Sequence, residues 1–230
     1  MKFGVVTFPG SNCDQDMIYV LRDLLKQSVV SLWHKDTSLA GVDFVILPGG
    51  FSYGDYLRSG AIAKFSPIMG EVVKHAQRGG YVMGICNGFQ ILTESGLLPG
   101  ALLHNVDRKF ICKNVNLVPT TTQTPITQGL SKDRVYRIPI AHGEGRFHCD
   151  ETTYKALKDN DQIIFQYCRV DGKVDEDHNP NGSLHNIAGI CNQGKNVFGM
   201  MPHPERAADP TLNNEDGRAI FDSLLKFCAS

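Results

Sequence analysis

The sequence contains no apolar run near the ~18 residues that a membrane-crossing helix needs. It also lacks a dominant charge. Lys and Arg total 23 against 24 Asp and Glu, a net charge of -1, so no basic field is available to hold nucleic acid or an anionic membrane. The opening residues, Met1-Lys2-Phe3-Gly4-Val5-Val6, read as a strand. They lack the apolar stretch and small-residue cleavage site of a secretion signal, so the expected location is cytoplasmic. The 7 cysteines, at 13, 86, 112, 149, 168, 191 and 228, form no C-x-x-C pair. That scatter argues against a disulfide framework and against a structural metal site. Apart from Cys86, they are expected to be small buried hydrophobes. Repeats, low-complexity tracts and linkers are absent as well, and the 230 residues are expected to form a single domain, 1–230.

What is present has the order of an α/β protein. A strand from Lys2 to Thr7 leads through Pro9, Gly10, Ser11 and Asn12 into a helix predicted from about Cys13 to Gln27, capped by Ser11 or Asn12. Val29 to Trp33 alternates like a strand. Phe44-Val45-Ile46-Leu47 is an unbroken apolar strand stopped by Pro48-Gly49-Gly50, as suits a sheet covered on both faces. Proline at the first helical position starts a helix at Ser66-Pro67, and Gly79 ends it. Tyr81 to Ile85 is a further buried strand that runs straight into Cys86. These alternations predict an open, mostly parallel, doubly wound sheet with flanking helices. Beyond residue 103, short β-like runs at 110–118, 135–141, 162–168, 187–191 and 197–201 add hairpin strands, with Asn192 to Asn196 as a hairpin loop. A closing helix is predicted over Glu215 to Phe227, and the polar stretch Asp171 to Ser183 reads as a mobile surface loop.

Gly84-Ile85-Cys86-Asn87-Gly88 has the form G-x-C-x-G between a strand and a helical run, a nucleophile elbow with sulfur in place of a serine oxygen. Glycines suit so sharp a turn because a Cβ at either place would strike backbone. The turn lifts the thiol to the carboxyl end of a strand, where open α/β sheets bind ligands. The helix N-terminus behind it favours thiolate, and the Asn87 N–H lies where an oxyanion would form. The pentapeptide alone fits a buried cysteine in a glycine-rich turn equally well.

Such a nucleophile needs a base and a group to orient the base. Among the 8 histidines, His203 is best placed, in Pro202-His203-Pro204-Glu205 after a strand. Pro204 holds His203 extended, so residues 203 and 205 face one side and Glu205 can fix the ring. Gly49-Gly50, directly after a buried strand, allows N–H groups to approach a ligand closely. Gln90 follows Cys86 by one helical turn on the same face and can bond a polar substrate. Taken singly, each of these also fits an ordinary turn or a solvated side chain.

Together with segments spread along the chain, these residues carry a resemblance to the class I (triad) glutamine amidotransferases. The segments are Phe8 to Asp14, Pro48 to Ala61, Gly84 to Leu92, Leu97 to Asn105, Ala141 to Phe147 and Gly199 to Arg206. Within that class, FSYGDYLRSGA and AHGEGRF are similar to the glutaminase subunits of phosphoribosylformylglycinamidine synthases, and Asp171 to Ser183 looks longer than usual.

The resemblance implies Cys86 as nucleophile, His203 as acid and base, and Glu205 as its orienting partner. It implies oxyanion amides at Gly50 and Asn87, and glutamine contacts at Gln90 and along the backbone of His142 and Gly143. L-Glutamine would be hydrolysed through a γ-glutamyl thioester, and the ammonia passed to a partner. That partner would be a large ATP-dependent synthetase subunit acting on formylglycinamide ribonucleotide, joined by a small bridging subunit. No cofactor or metal is implied for this chain; ATP and magnesium belong to the synthetase. The rivals are an amidotransferase for another acceptor, a stand-alone cysteine amidohydrolase, and a non-catalytic binding module. Gly189 to Lys195 matches the phosphate-binding G-x-x-x-x-G-K, but Asn196 stands where Ser or Thr should hold magnesium, and a strand follows. Asn181-Gly182-Ser183 matches a glycosylation acceptor, of no consequence without a secretion signal.

Overall fold

The structure, a computed structural model, describes residues 1–229, with side chains through residue 227. In chain order the first elements are β1 (Lys2–Thr7), α1 (Asp14–Tyr19), β2 (Ser28–Trp33), β3 (Phe44–Leu47), α2 (Pro67–Gln77), β4 (Tyr81–Ile85) and α3 (Asn87–Glu94). There follow β5 (Ala101–Leu103), β6 (Ile111–Pro119), β7 (Tyr136–His142), β8 (Arg146–His148), α4 (Glu151–Asp159), β9 (Ile163–Cys168), β10 (Ile187–Cys191), β11 (Val197–Met200) and α5 (Arg218–Ala229). No helix among the described residues is long and apolar enough to cross a membrane.

The chain divides into two compact units. The first holds residues 1–98 with 196–199. Its strands run in the order β2-β1-β3-β4-β11, and β1 pairs parallel with β2 and β3, as β3 does with β4. This is the wound parallel sheet with flanking helices that the sequence predicts, and its unbroken apolar strand β3 is buried throughout. Each of its side chains contributes about 1.5–3 kcal/mol by leaving water. Asn196 fastens this unit: its Nδ2 donates to the Ala76 and Gly80 carbonyls, both at 2.8 Å, and its carbonyl accepts from Val82 N–H at 2.9 Å. An asparagine is therefore needed at 196 for structure, not for a phosphate.

The second unit holds residues 99–195 with 200 onward. Its strands run β10-β9-β6-β7, all antiparallel, with a register shift in β10 against β9, and β5 pairs with β8 as a separate ribbon. These are the additional hairpin strands. The α/β fold class stands as the sequence predicts it.

Several elements differ from expectation. The first helix is α-helical only over Asp14–Tyr19 and continues as a π-helical turn, Val20–Leu24. Ser11 does not cap it; its hydroxyl accepts from Phe8 N–H at 3.0 Å, and no side chain caps the helix start. The closing helix begins at Arg218 rather than Glu215. Cys112 is exposed, because it faces outward on β6, whereas Cys13, Cys149, Cys168 and Cys191 are buried as expected. The side chain of Cys228 lies outside the described residues. Asp171 to Ser183 is tied down rather than loose. Asn179 Oδ1 accepts from the N–H groups of residues 181, 182 and 183, at 3.3, 2.9 and 3.1 Å. Asn181 is fully buried and donates to the Gly145 carbonyl at 2.9 Å, which also closes it to any glycan.

Candidate active site

In the first unit β4 ends at Ile85 and α3 begins at Asn87, leaving Cys86 alone at the bend with φ 50° and ψ -106°. A non-glycine residue there is strained by about 1–3 kcal/mol, and the surrounding packing must hold it. Two glycines supply that packing. A Cβ at Gly88 would run into the Leu47 carbonyl at the end of β3, and one at Gly84 would meet the Gly88 backbone. The elbow is thus pressed against β3 and β4 at backbone contact. Cys86 is only 5% exposed, and its carbonyl accepts from Gln90 N–H at 3.1 Å, opening α3.

Asn87 ties this elbow to the turn after β3. Its Oδ1 accepts from Ser52 N–H at 3.1 Å, while its Nδ2 donates to Gln90 Oε1 at 2.9 Å and to Asp55 Oδ1 at 3.3 Å. Gly50 has φ +139°, and a Cβ there would lie 2.8 Å from Asn12 N, so only glycine fits. The Gly49 carbonyl accepts from Cys13 N–H at 3.4 Å, and Gly10 O accepts from Phe51 N–H at 3.0 Å. Gly50 itself forms an isolated antiparallel bridge with Ser11, so both glycines of the predicted oxyanion turn lie against the turn that follows β1. Gln90, Asn87 and the Gly50 turn lie in one bonded network with the elbow.

The loop beyond Gly50 is exposed and contorted. Tyr53, Asp55 and Leu57 have positive φ, as does Gly54. Tyr56 is 74% and Leu57 92% exposed. Tyr53 turns inward instead, its hydroxyl 2.6 Å from His34 Nδ1 and 2.8 Å from Ser66 Oγ. Arg58 pairs with Glu94 at 2.6 Å.

In the second unit the predicted base and its orienter meet. His203 Nδ1 lies 2.6 Å from Glu205 Oε1, and both residues are buried, at 1% and 3% exposure. His203 N–H donates to the Pro139 carbonyl at 2.8 Å, which anchors the turn on β7. Beyond His203 the backbone tightens into a single turn, Pro204–Ala207, and Gly217 packs so closely on Pro204 that a Cβ would collide with it.

His142 ends β7 in the same unit. Burial first, and then the nearby His203 charge, push its pKa down to about 4, so the ring is neutral at physiological pH. The carbonyls of His142 and Gly143 accept from Asn105, through its Nδ2 at 2.9 Å and its backbone N–H at 2.9 Å. Along this backbone, where glutamine contacts are predicted, each of the two carbonyls thus already accepts one hydrogen bond from Asn105.

Asn105, Ser52 and Asp55 hold these groups in place but carry no local sequence signal. Their partners lie 32 to 40 residues away along the chain, beyond any periodicity.

Comparisons with known proteins come from three directions. Residues 1–227 match a CobB/CobQ-like glutamine amidotransferase domain. Phosphoribosylformylglycinamidine synthase subunit PurQ of Koribacter versatilis is 58% identical over 98% of this chain and 97% of that protein. The protein of the same name from Gloeobacter violaceus is 56% identical, with the same coverage of each chain. A solved chain from the structure of PurLQS from Thermotoga maritima superposes with a TM-score of 0.86 at 42% identity, covering 99% of this chain and 98% of that one.

Proposed function

The chain belongs to the CobB/CobQ-like glutamine amidotransferase family, and from that premise we propose that it is the glutaminase subunit of a phosphoribosylformylglycinamidine synthase. The single observation that carries the chemistry is the strained elbow at Cys86, whose conformation the packing of Gly84 and Gly88 enforces.

In this reading Cys86 Sγ attacks the carboxamide carbon of L-glutamine, and the oxygen takes the negative charge. The amides of Gly50 and Asn87 receive that oxyanion. His203, oriented through Nδ1 by Glu205, takes the thiol proton and returns it to the leaving nitrogen, so ammonia departs and a γ-glutamyl thioester remains. Water, deprotonated by His203, then attacks the thioester. Glutamate leaves and the thiol is restored. Gln90, whose Oε1 is fixed by Asn87, contributes to glutamine binding, as do the groups about His142 and Gly143.

Ammonia must stay unprotonated to attack an acceptor, because ammonium has no lone pair. The product is therefore handed to a docked partner, the large ATP-dependent synthetase subunit that converts formylglycinamide ribonucleotide to its amidine, with a small bridging subunit in the same cytoplasmic complex. ATP and magnesium act there, and this chain needs no cofactor of its own. The exposed Tyr56 and Leu57 suit a docking surface for the synthetase. Asp55, two residues from Leu57, bonds Asn87 beside the nucleophile, so docking on the loop can reach the elbow.

The test is glutamate release by the purified chain, alone and with the synthetase, its nucleotide substrate and ATP. Glutamine turnover that rises when the complex assembles supports the reading. No turnover of glutamine under either condition contradicts it.

A further inference from the structure

Helix α4 closes in a Schellman turn with an aspartate where glycine usually stands. Gln162 N–H donates to the Leu157 carbonyl at 2.8 Å, and Asp161 N–H donates to the Lys158 carbonyl at 3.3 Å. That pattern puts Asp161 in the left-handed conformation, with φ 54°. Glycine adopts it most freely, and a carboxylate there also faces the negative end of the helix. Both features disfavour aspartate at 161, so helix stability does not explain it.

Asp161 lines a cavity of about 350 Å³ in the second unit, walled by α4, by β9 and by Thr120, which follows β6. Leu157 and Ile163 make its apolar side. Lys158 brings an ammonium group to the same space. Residues three apart on a continuous helix can pair, but the turn at Asp161 breaks that spacing. Neither charge forms an ion pair or a side-chain hydrogen bond among the described residues. The cavity therefore holds one cation and one anion, each with its bonding capacity unused.

The other polar groups are set as acceptors. Gln166 Nε2 donates to the His185 carbonyl at 2.7 Å, which leaves Oε1 available. Thr120 Oγ1 gives its proton to the Ile163 carbonyl and keeps its lone pairs. Tyr154 is braced as an aromatic wall, stacked on His185 with ring centroids 4.0 Å apart.

We propose that this cavity binds a free α-amino acid, with glutamine preferred to glutamate. Lys158 receives the α-carboxylate and Asp161 the α-ammonium. The acceptors at Gln166 and Thr120 meet the N–H groups of a carboxamide and repel a carboxylate, which separates the two ligands. The volume falls within the range of ordinary small-molecule sites. None of the lining residues belongs to the set assigned to hydrolysis, so this is a second site for glutamine, argued independently of the glutaminase reading.

Equilibrium dialysis of radiolabelled L-glutamine against the full chain carrying Cys86→Ala counts the bound ligands. The count is repeated after adding Asp161→Gly, which places the favoured residue in the turn, or Lys158→Gln, which removes the ammonium from an exposed helical position. Each should bind one glutamine fewer per chain than Cys86→Ala alone, or bind it at least about tenfold more weakly, the scale of a lost charge-assisted hydrogen bond. Unlabelled glutamate should displace this glutamine about tenfold less well than unlabelled glutamine does. A count and affinity that neither substitution changes, or equal displacement by glutamate, overturns the proposal. Asp161→Gly should not lower the urea midpoint; if it does, Lys158→Gln supplies the deciding count. Failure of the glutaminase reading would appear separately, as absent glutamate release by the unaltered complex.

Discussion

His203 Nδ1 and Glu205 Oε1 are 2.6 Å apart, with both side chains buried and only one residue between them. In the proposed mechanism the carboxylate accepts the Nδ1 proton, which leaves Nε2 as the nitrogen that exchanges protons with glutamine. Glu205→Gln keeps the shape and removes the charge that steadies an imidazolium. It should slow glutamine hydrolysis, but by on the order of 10²-fold less than His203→Ala, since losing the orienter costs less than losing the base. Steady-state kcat of the two folded variants checks this. The reverse order would mean that the roles are misassigned.

The exposed loop yields a separable pair of variants. Tyr56→Ala removes a large exposed ring and should weaken association with the synthetase roughly tenfold or more, with glutamine hydrolysis by the isolated chain unchanged. Asp55→Asn leaves the loop surface intact but weakens its bond to Asn87, so the complex should form with normal affinity and show reduced stimulation. Titration of the partner while following glutamate release separates binding from coupling. Unchanged affinity in the first variant and unchanged stimulation in the second would show that the partner docks elsewhere.

The neutral His142 has a consequence for stability. Its folded pKa of about 4 lies below the ordinary 6.5, so the unfolded chain binds more protons between those values. Stability from this group is whole above pH 6.5 and is lost as pH falls toward 4, at up to about 1.4 kcal/mol per pH unit. Urea unfolding at pH 7, 6 and 5 should therefore show a shallower acid loss for His142→Gln than for the unaltered chain. Parallel curves would contradict a buried neutral His142.

The bend at Cys86 and the contact of His203 with Glu205 were legible in the sequence because their information is local. G-x-C-x-G fixes a bend within a few residues, and His203 and Glu205 stand two apart, although a tight turn at Pro204–Ala207 rather than an extended segment brings them together. The parallel strands were legible because β3 is apolar at every position. Helix α4 was not, since only Leu157 of its side chains is buried and no apolar stripe exists to be read. Its start depends on Asp150, whose side chain accepts from Thr153 N–H at 2.7 Å. The stretch from Asp171 to Ser183 has the composition of a mobile loop, but asparagine side chains stitch it in place, and composition does not reveal bond partners. The contact of the His142 ring with Asn105 was equally hidden, because the two residues lie 37 positions apart.

The most direct measurement of the central claim compares two nitrogen sources in the assembled complex carrying Cys86→Ala. Synthesis of the amidine from glutamine should fall by on the order of 10³-fold or more, while synthesis from added ammonia continues at the rate of the unaltered complex. That pairing places the lost step at glutamine and leaves the synthetase and its docking intact. Glutamine-dependent synthesis that survives the substitution would contradict Cys86 as the nucleophile.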